Sequence, residues 1–406
     1  MIEKIFHSIL LRRHFWRHAT FSEVAELYAS RMLRMFAMHI ASAFMSIYLF
    51  QQGYSVFFIA VFWAMFYVFK AMIALICAGI AARLGPKHAI LLSNILYIPS
   101  MIAFALVPEY GSWLLGFVIL FQGVSSTLYS IAYSIDFSKV KSVEHAGKEI
   151  AYMNIVEKVT TGISPLIGGI IAYIMGPQVV LVIAAILFLV AAGPLFKSAE
   201  PEPPHQRLNF KGFPWRLVRP SIASQIALGF DVFTSGTVWT LFTAIFILGV
   251  SQSNEIYATN GALISVVLFA ALGASYAYGK LIDGKKGKEL LQFTSIANSI
   301  THFIRPFTTN AIGIAGLNIA NEAATTGYTM AYTRGIFDNA DLSGQRTTYI
   351  GIVEVLSNLG AAIAAGVLAL LVSFMSDQNA MAVFFYVAAG VVLLTMTARF
   401  PLYRKK

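Results

Sequence analysis

Residues 55–78 read SVFFIAVFWAMFYVFKAMIALICA, a stretch of 24 residues in which Lys70 is the only charged side chain. A helix needs about 20 mostly apolar residues to cross the roughly 30 Å of hydrocarbon in a bilayer. This stretch therefore predicts a transmembrane helix, and similar runs recur along the chain. We predict twelve spans, at residues 30–50, 55–78, 89–107, 112–135, 150–174, 178–197, 220–248, 256–279, 289–306, 311–333, 347–374 and 379–398.

The ninth run fits a span less well than the others. It carries His302 and Arg305 and ends at Pro306. If it forms a re-entrant segment instead, the number of spans falls and the two ends of the chain lie on opposite sides of the membrane.

The composition of the whole chain agrees with a membrane protein. Of its 406 residues, 58% are hydrophobic and 12% are charged, whereas soluble domains have about 45–50% apolar and about 25% charged residues. This leaves too little polar surface for a soluble globule, which excludes soluble enzymes and disordered proteins. The single cysteine, Cys77, excludes a disulfide framework and a cysteine-based metal site.

The basic residues predict the orientation of the spans. With the N-terminus inside, 26 of the 29 lysines and arginines fall on inner segments. Lys70 and Lys158 fall within spans, and Arg305 falls at an outer edge. The positive-inside bias thus predicts that both termini are cytoplasmic. The net charge of +10 then reflects topology and attraction to anionic lipids, and no nucleic-acid partner is needed to explain it.

The segments outside the spans are short. Residues 1–29 contain no long apolar region with a cleavage site, so we expect no signal peptide there. Their first apolar residues share one helical face, which predicts an amphipathic helix on the cytoplasmic surface. Thr20-Phe-Ser-Glu23 fits a capping box, so the first membrane helix can begin before its apolar run.

The proline-containing stretch 198–219 predicts a cytoplasmic linker. It separates bundles of six helices at 30–197 and 220–400, and residues 401–406 form a cytoplasmic tail.

The two bundles resemble each other in sequence. The stretch 129–134, YSIAYS, matches the stretch 328–333, YTMAYT, at an offset of 199 residues. Glu157 matches Glu354 at an offset of 197, and Phe50 matches Phe246 at 196. Because six spans is an even number, both copies start on the same side of the membrane. A parallel repeat of this kind predicts a substrate site near mid-membrane, between the halves.

The chain resembles the major facilitator superfamily over residues 30–400. In that family the loop between spans two and three carries Gly-x-x-x-Asp-Arg-x-Gly-Arg-Lys. Here 78–87 reads AGIAARLGPK, and the repeat supplies a second copy, GKLIDGKKGK, at 279–288. The resemblance implies twelve helices in two six-helix halves and an inner latch. Arg83 would pair there with Asp136 at the inner end of span four, and Asp283 belongs to the second copy.

A second motif lies in span five. Residues 164–169 read SPLIGG, which is similar to the Gly-Pro-x-x-Gly-Gly signature of the family's proton-coupled exporters. The motif favours exchange of a substrate for protons. The alternative interpretation is a kinked helix face whose small residues pack closely against a neighbour.

Four carboxylates fall within predicted spans: Glu157, Asp231, Glu322 and Glu354. Ionisable groups inside a membrane are costly and are functional candidates by default. Asp231 and Glu322 each lie about 11 residues into their spans, close to mid-depth. Since a poorly solvated cavity disfavours a charged carboxylate, such a group can bind and release a proton. We predict proton coupling at Asp231 or Glu322, with Glu157 as a further candidate; the alternative is a static contact between helices.

Polar side chains at helical spacing predict a cavity between the halves. Span ten carries a stripe formed by Asn318, Asn321, Glu322, Thr325 and Thr329. Span four carries a similar stripe formed by Gln122, Ser125, Ser126, Tyr129 and Tyr133. Lys70 and Lys158 are further candidates for lining the cavity. Polar packing between helices is the alternative interpretation.

These patterns predict a secondary active transporter that works by alternating access and is driven by a proton gradient. The abundant aromatic residues and the span-five motif favour export of an amphiphilic or hydrophobic compound. Proton-coupled uptake of a small polar or anionic solute is the alternative, with Lys70, Lys158 and Arg34 binding the anion.

The remaining predictions concern partners and other classes of protein. No Gly-x4-Gly-Lys-Ser/Thr loop is present, so ATP is not expected to drive transport, and we expect no cofactor or metal. The expected partners are a small-molecule substrate, protons and lipids, and the family resemblance implies a monomer in the cell membrane. A membrane enzyme or a non-transporting receptor with the same fold are the alternatives from other classes.

Overall fold

The computed structural model describes residues 21–140, 146–193, 207–249 and 254–403, and every element there is helical. Twelve helical segments occupy the predicted places, and we number them α1 to α12. The first six are α1 (Phe21–Ser42, continued by Met45–Gln51), α2 (Val56–Leu84), α3 (Pro86–Ala105), α4 (Leu114–Val140), α5 (Ala146–Met175) and α6 (Pro177–Ala192). The second six are α7 (Ile222–Phe233), α8 (Glu255–Ser265, continued by Leu268–Asp283), α9 (Gly287–Ile304), α10 (Ala311–Ser343), α11 (Arg346–Phe374) and α12 (Asp377–Val392).

The segments differ in how apolar they are. Within the described residues, nine are long and apolar enough to cross a membrane, and Pro177–Ala191 is a shorter apolar helix. The other two are α9 and α10, whose apolar surfaces are interrupted by polar side chains such as Asn298 and Glu322. The all-helical membrane fold is thus confirmed, and the count of twelve spans stays a prediction. Helix α9 runs unbroken from Gly287 to Ile304.

Several boundaries differ from the predicted ones. Helix α1 begins at Phe21, well before the apolar run, as expected from a capping box at Thr20. Helix α7 continues beyond Phe233 through two π-helical turns, Thr234–Val238 and Thr243–Ile247. Helix α10 extends to Ser343, ten residues past the predicted end at 333. Residues 1–20, 198–206 and 404–406, which belong to the predicted surface helix, linker and tail, lie outside the described residues.

The two halves use the same internal packing. In the first half α3 packs against α4 and α6, and α1 packs against α5. In the second half α9 packs against α10 and α12, and α7 packs against α11. Since α7 to α12 follow α1 to α6 in the same order, each contact has its counterpart in the other half. The sequence repeat therefore corresponds to a structural repeat.

Between the halves, α2 packs along α11 and α5 packs along α8. An apolar cluster joins the halves at the end of the bundle where α1 ends, and it includes Phe44 of α1, Phe242 of α7 and Tyr257 of α8. The rings of Phe44 and Tyr257 meet edge to face, with centroids 5.5 Å apart, and the Tyr257 hydroxyl donates a hydrogen bond to Gln51. The halves are therefore closed against each other at this end, which the predicted orientation makes the outer side.

The contact between α5 and α8 depends on glycine. A Cβ atom on Gly169 would lie 2.3 Å from the carbonyl oxygen of Tyr257, and a Cβ atom on Gly261 would lie 2.3 Å from that of Pro165. Both distances are far too short for a real side chain. The span-five motif thus lets the backbones of the two halves touch, as the close-packing interpretation predicts.

We expect Gly261→Ala to lower the thermal stability of the purified protein. The new methyl group forces α5 and α8 apart, and overpacking of this kind costs about 1–3 kcal/mol. The control is Gly273→Ala on the same helix, where an added Cβ atom would meet no atom within 4 Å. That change should leave the melting temperature the same or raise it, since alanine favours helix over glycine by roughly 0.5–1 kcal/mol. Equal melting curves for the two variants would contradict the close contact.

Candidate functional site

Asp231 lies at the centre of a buried polar network in the second half. It is on α7 and is 2% exposed. Its Oδ1 atom lies 2.6 Å from Nε2 of His302 on α9 and accepts a hydrogen bond from Ser235 at 3.1 Å. Its Oδ2 atom accepts a hydrogen bond from the hydroxyl of Tyr328 on α10. One carboxylate thus ties together three helices of the same half.

Arg305 completes this network. It lies in the 3₁₀ turn after α9 and is 1% exposed. Its Nη1 atom is 2.7 Å from Nδ1 of His302, and its Nη2 atom donates to Asn321 at 2.9 Å and to Ser235 at 3.3 Å. Because a guanidinium group can only donate, His302 accepts at Nδ1 and donates from Nε2 to Asp231. The result is a network with one positive and one negative charge joined through a neutral imidazole.

A second buried network occupies the first half. Arg31 and Arg34 lie one turn apart on α1, and Nη2 of Arg31 is 2.6 Å from Oε2 of Glu157 on α5. Arg34 contacts no carboxylate among the described residues. Its guanidinium carbon lies 3.8 Å from the ring centroid of Tyr129, and that of Arg31 lies 3.3 Å from the ring centroid of Tyr133.

An ion pair joins the two halves. Nζ of Lys158 on α5 lies 2.6 Å from Oε1 of Glu322 on α10, with side-chain exposures of 27% and 15%. The same oxygen accepts a hydrogen bond from Thr326 at 3.0 Å. Thr329, two turns from Glu322 on the same face of α10, is exposed. The ion pair therefore lies on a face of α10 that is partly exposed.

Glu354 makes a further contact across the halves. Its Oε2 atom accepts a hydrogen bond from Ser130 of α4 at 2.8 Å, and its Oε1 atom accepts one from Asn358 at 2.9 Å. Lys70 on α2 lies within electrostatic range of Glu354. Its ammonium group is 5.6 and 5.4 Å from the ring centroids of Phe66 and Tyr67.

The other predicted cavity residues are divided between the halves. Asn318 accepts a hydrogen bond from the Trp239 indole at 2.7 Å and donates to the Leu263 carbonyl at 2.9 Å. Gln122 donates to the Tyr97 hydroxyl at 2.8 Å. Ser126 and Thr325 donate within their own helices, to the carbonyl groups of Gly123 and Glu322.

The predicted inner latch involves three residues near the ends of three helices. Arg83 is exposed at the end of α2, Asp136 is buried near the end of α4, and Asp283 ends α8 half-buried. Pairing of Arg83 with Asp136 stays a prediction.

Three residues matter more in the structure than the sequence suggested. The sequence uses Arg31 only as evidence for topology, places Arg305 at an outer edge, and shows His302 only as a residue that makes span nine a poorer fit. The available signal was spacing, since Arg31 and Arg34, like His302 and Arg305, lie three residues apart and share a helix face. Over the ranges that the structure covers, no group of three His, Cys, Asp or Glu side chains could hold a metal ion.

The fold is shared with solved transporter structures. The human organic anion transporter MFSD10 (TETRAN) superposes with a TM-score of 0.68 at 14% identity, covering 92% of this chain and 98% of that one. The Escherichia coli fucose:proton symporter FucP gives a TM-score of 0.64 at 14% identity, with the same coverage. A POT family transporter in complex with a thioalcohol-conjugated peptide gives 0.67 at 13% identity, covering 91% of this chain and 94% of that one.

Sequence comparison agrees with the fold. No curated protein matches the chain significantly. The family model of the Major Facilitator Superfamily matches residues 27–330, about three quarters of the chain. Together with the helical repeat and the contacts between halves, this match establishes that the chain belongs to the Major Facilitator Superfamily of transporters.

Proposed function

We propose that this secondary transporter is coupled to protons and that the Lys158–Glu322 ion pair is the coupling element. The observation that carries the proposal is the position of the pair. It joins α5 of one half to α10 of the other at a nitrogen–oxygen distance of 2.6 Å. A change in its charge therefore acts directly on the contact between the halves.

Glu322 is better placed for this role than Asp231. Its side chain is partly exposed, so a proton can reach it, and its partner belongs to the other half. Asp231 is enclosed by partners from its own half, including His302 and Tyr328. Protonation of Asp231 would disturb packing within the second half, whereas protonation of Glu322 would loosen the contact between the halves.

The proposed cycle uses this difference. Ionised Glu322 holds Lys158 and keeps the halves together around the site. A proton arriving at Oε1 removes the negative charge and leaves Lys158 without a partner, and an unpaired ammonium group in an apolar bundle is unfavourable. The halves then move apart at this point and the ammonium group gains water. Loss of the proton on the other side of the membrane restores the pair.

For the substrate, the charges of the site favour a small polar or anionic solute over an amphiphile. Three cationic side chains, Arg31, Arg34 and Lys158, lie on helices that face the contact between halves, and an amphiphile would leave them poorly solvated. The glycines of the span-five motif pack α5 against α8, a role that transport in either direction requires, so they do not favour export. We further propose that the protein acts as a monomer in the cell membrane with both termini cytoplasmic.

We expect Glu322→Gln to abolish proton movement while preserving exchange of substrate. The amide keeps the shape of the side chain and cannot be ionised. The measurement uses proteoliposomes with a trapped pH-sensitive dye and a panel of sugars, amino acids, organic anions and lipophilic cations. The solute that moves protons with the unchanged protein is then tested for exchange with its labelled form.

The control for this experiment is Asp231→Asn. If Glu322→Gln still moves protons at the normal rate and Asp231→Asn does not, coupling at Glu322 is refuted in favour of coupling at Asp231. If no solute in the panel moves protons, proton coupling itself is refuted.

For thermal stability, in contrast to proton coupling, we expect Asp231 to matter more than Glu322. Asp231→Ala leaves Arg305 without its counter-charge in a buried network, a loss of about 3–5 kcal/mol. Glu322→Ala leaves only the half-exposed Lys158, which water can reach, so the loss should be smaller. Thermal unfolding of the two purified variants checks this, and a lower melting temperature for Glu322→Ala than for Asp231→Ala would contradict it.

A further inference from the structure

The buried network of the first half carries more positive than negative charge. Among the described residues, Arg31 and Arg34 face a single carboxylate, Glu157, which is bound to Arg31. Arg34 is 1% exposed. Its partners are neutral: Nη1 donates to Ser93 at 3.1 Å and to Asn94, and Nη2 donates to Ser125 at 3.4 Å. A buried cation that hydrogen bonds only to neutral groups lacks the counter-charge that would make its burial favourable.

The buried network of the second half, in contrast, has balanced charges. There the buried Arg305 is balanced by Asp231 through His302. The counterpart in the first half has no such balance within the described residues. The two networks therefore differ by one unit of charge, although the halves that contain them share one architecture.

Unused hydrogen-bonding atoms lie around the same arginines. Nε and Nη1 of Arg31, Nε of Arg34, Nδ2 of Asn94 and the hydroxyl of Tyr129 are buried without a hydrogen-bond partner. The Tyr129 hydroxyl lies close enough to Arg31 to interact with it. Four of these five atoms can only donate, and the unused acceptor nearby is Oε1 of Gln122. Such a surplus of donors fits a ligand that only accepts hydrogen bonds.

The tyrosines hold the two guanidinium groups in fixed positions. The rings of Tyr129 and Tyr133 are stacked, with centroids 5.9 Å apart and planes inclined by 10°. Arg34 lies over the first ring and Arg31 over the second. The rings cover one face of each guanidinium group, and the N–H groups left for a ligand are Nε and Nη1 of Arg31 and Nε of Arg34. Planar N–H edges match the two oxygens of a carboxylate.

We propose that Arg31, Arg34 and the Tyr129 hydroxyl form the subsite that binds the carboxylate group of the substrate, which makes the substrate an organic anion. This deepens the proposed function and rests on it for the identification of the ligand as a substrate. Glu157, the partner of Arg31, is the most exposed member of this network, with 29% of its side chain exposed. An arriving carboxylate supplies the missing negative charge and satisfies the unused donors of both arginines.

The test measures equilibrium binding of small anions to the purified protein in detergent. The melting temperature of the protein is the readout. The probes are sodium acetate, benzoate and succinate at constant ionic strength, with sodium chloride as the inorganic anion and benzyl alcohol as the neutral analogue of benzoate. At least one carboxylate should raise the melting temperature in a saturable way, and chloride and benzyl alcohol should not. No shift with any carboxylate, or an equal shift with chloride, would overturn the proposal.

Variants then locate the site. Arg34→Gln should weaken carboxylate binding roughly 10- to 100-fold, because a hydrogen bond to a charged group is lost. Tyr129→Phe keeps the ring beneath Arg34 and should weaken binding by a few-fold. Lys280→Gln removes an exposed cation and should leave binding unchanged, and Lys70→Gln tests the alternative position for the anion. Binding that is lost in Lys70→Gln and kept in Arg34→Gln would place the anion elsewhere and refute this subsite.

Stability without ligand separates a binding role from a structural one. Arg34→Gln removes an unbalanced buried charge, so the ligand-free variant should melt at the same temperature as the unchanged protein or higher. A strongly lowered melting temperature would assign Arg34 a structural role. Failure of this inference also differs from failure of the proposed function. Proton-driven flux of a neutral solute would refute only the anion subsite, and carboxylate binding without proton movement would refute only the coupling.

Discussion

An ionised side chain inside an apolar helix bundle must find a counter-charge, hydrogen-bonding partners or water, since the free-energy cost of burying it alone is large. This protein carries buried or half-buried charges on at least five of its helices, and each solution has a structural consequence. Asp231 and Arg305 neutralise each other through His302 and fix α7, α9 and α10 as one unit. Lys158 and Glu322 neutralise each other across the halves, so this pair depends on the relative position of the two units.

The helical repeat sets the frame in which these charges meet. Equivalent helices pack in equivalent ways within each half, and the aromatic residues of α4 and α10 come from matching stretches of sequence. The chemistry placed on this frame is nevertheless different in the two halves. Tyr129 lies beneath a guanidinium group, whereas its repeat partner Tyr328 donates a hydrogen bond to a carboxylate. The two halves thus share their helix packing but differ in the charged groups that their equivalent tyrosines contact.

Sequence reasoning predicted the helices better than the contacts between them. Long apolar runs such as residues 55–78 specify a spanning helix almost alone, because a bilayer demands length and hydrophobicity. The repeat and the loop motif were enough to identify the family. Pairings were less accessible, because the partners of the adjacent residues Glu157 and Lys158 are Arg31 and Glu322, which lie 126 and 164 positions away in the chain. Arg31 also shows that a residue at the end of an apolar run can lie inside the bundle, which counting charges along a chain cannot reveal.

The glycine contacts between α5 and α8 have a consequence for motion. Where side chains interlock, one helix turns against another only if rotamers change and cavities open. At Gly169 and Gly261 the surfaces in contact are backbone atoms, which have no rotamers to rearrange. A change in the angle between the two helices at this place therefore requires no change of side-chain rotamers. The charged contacts elsewhere then determine when the helices move.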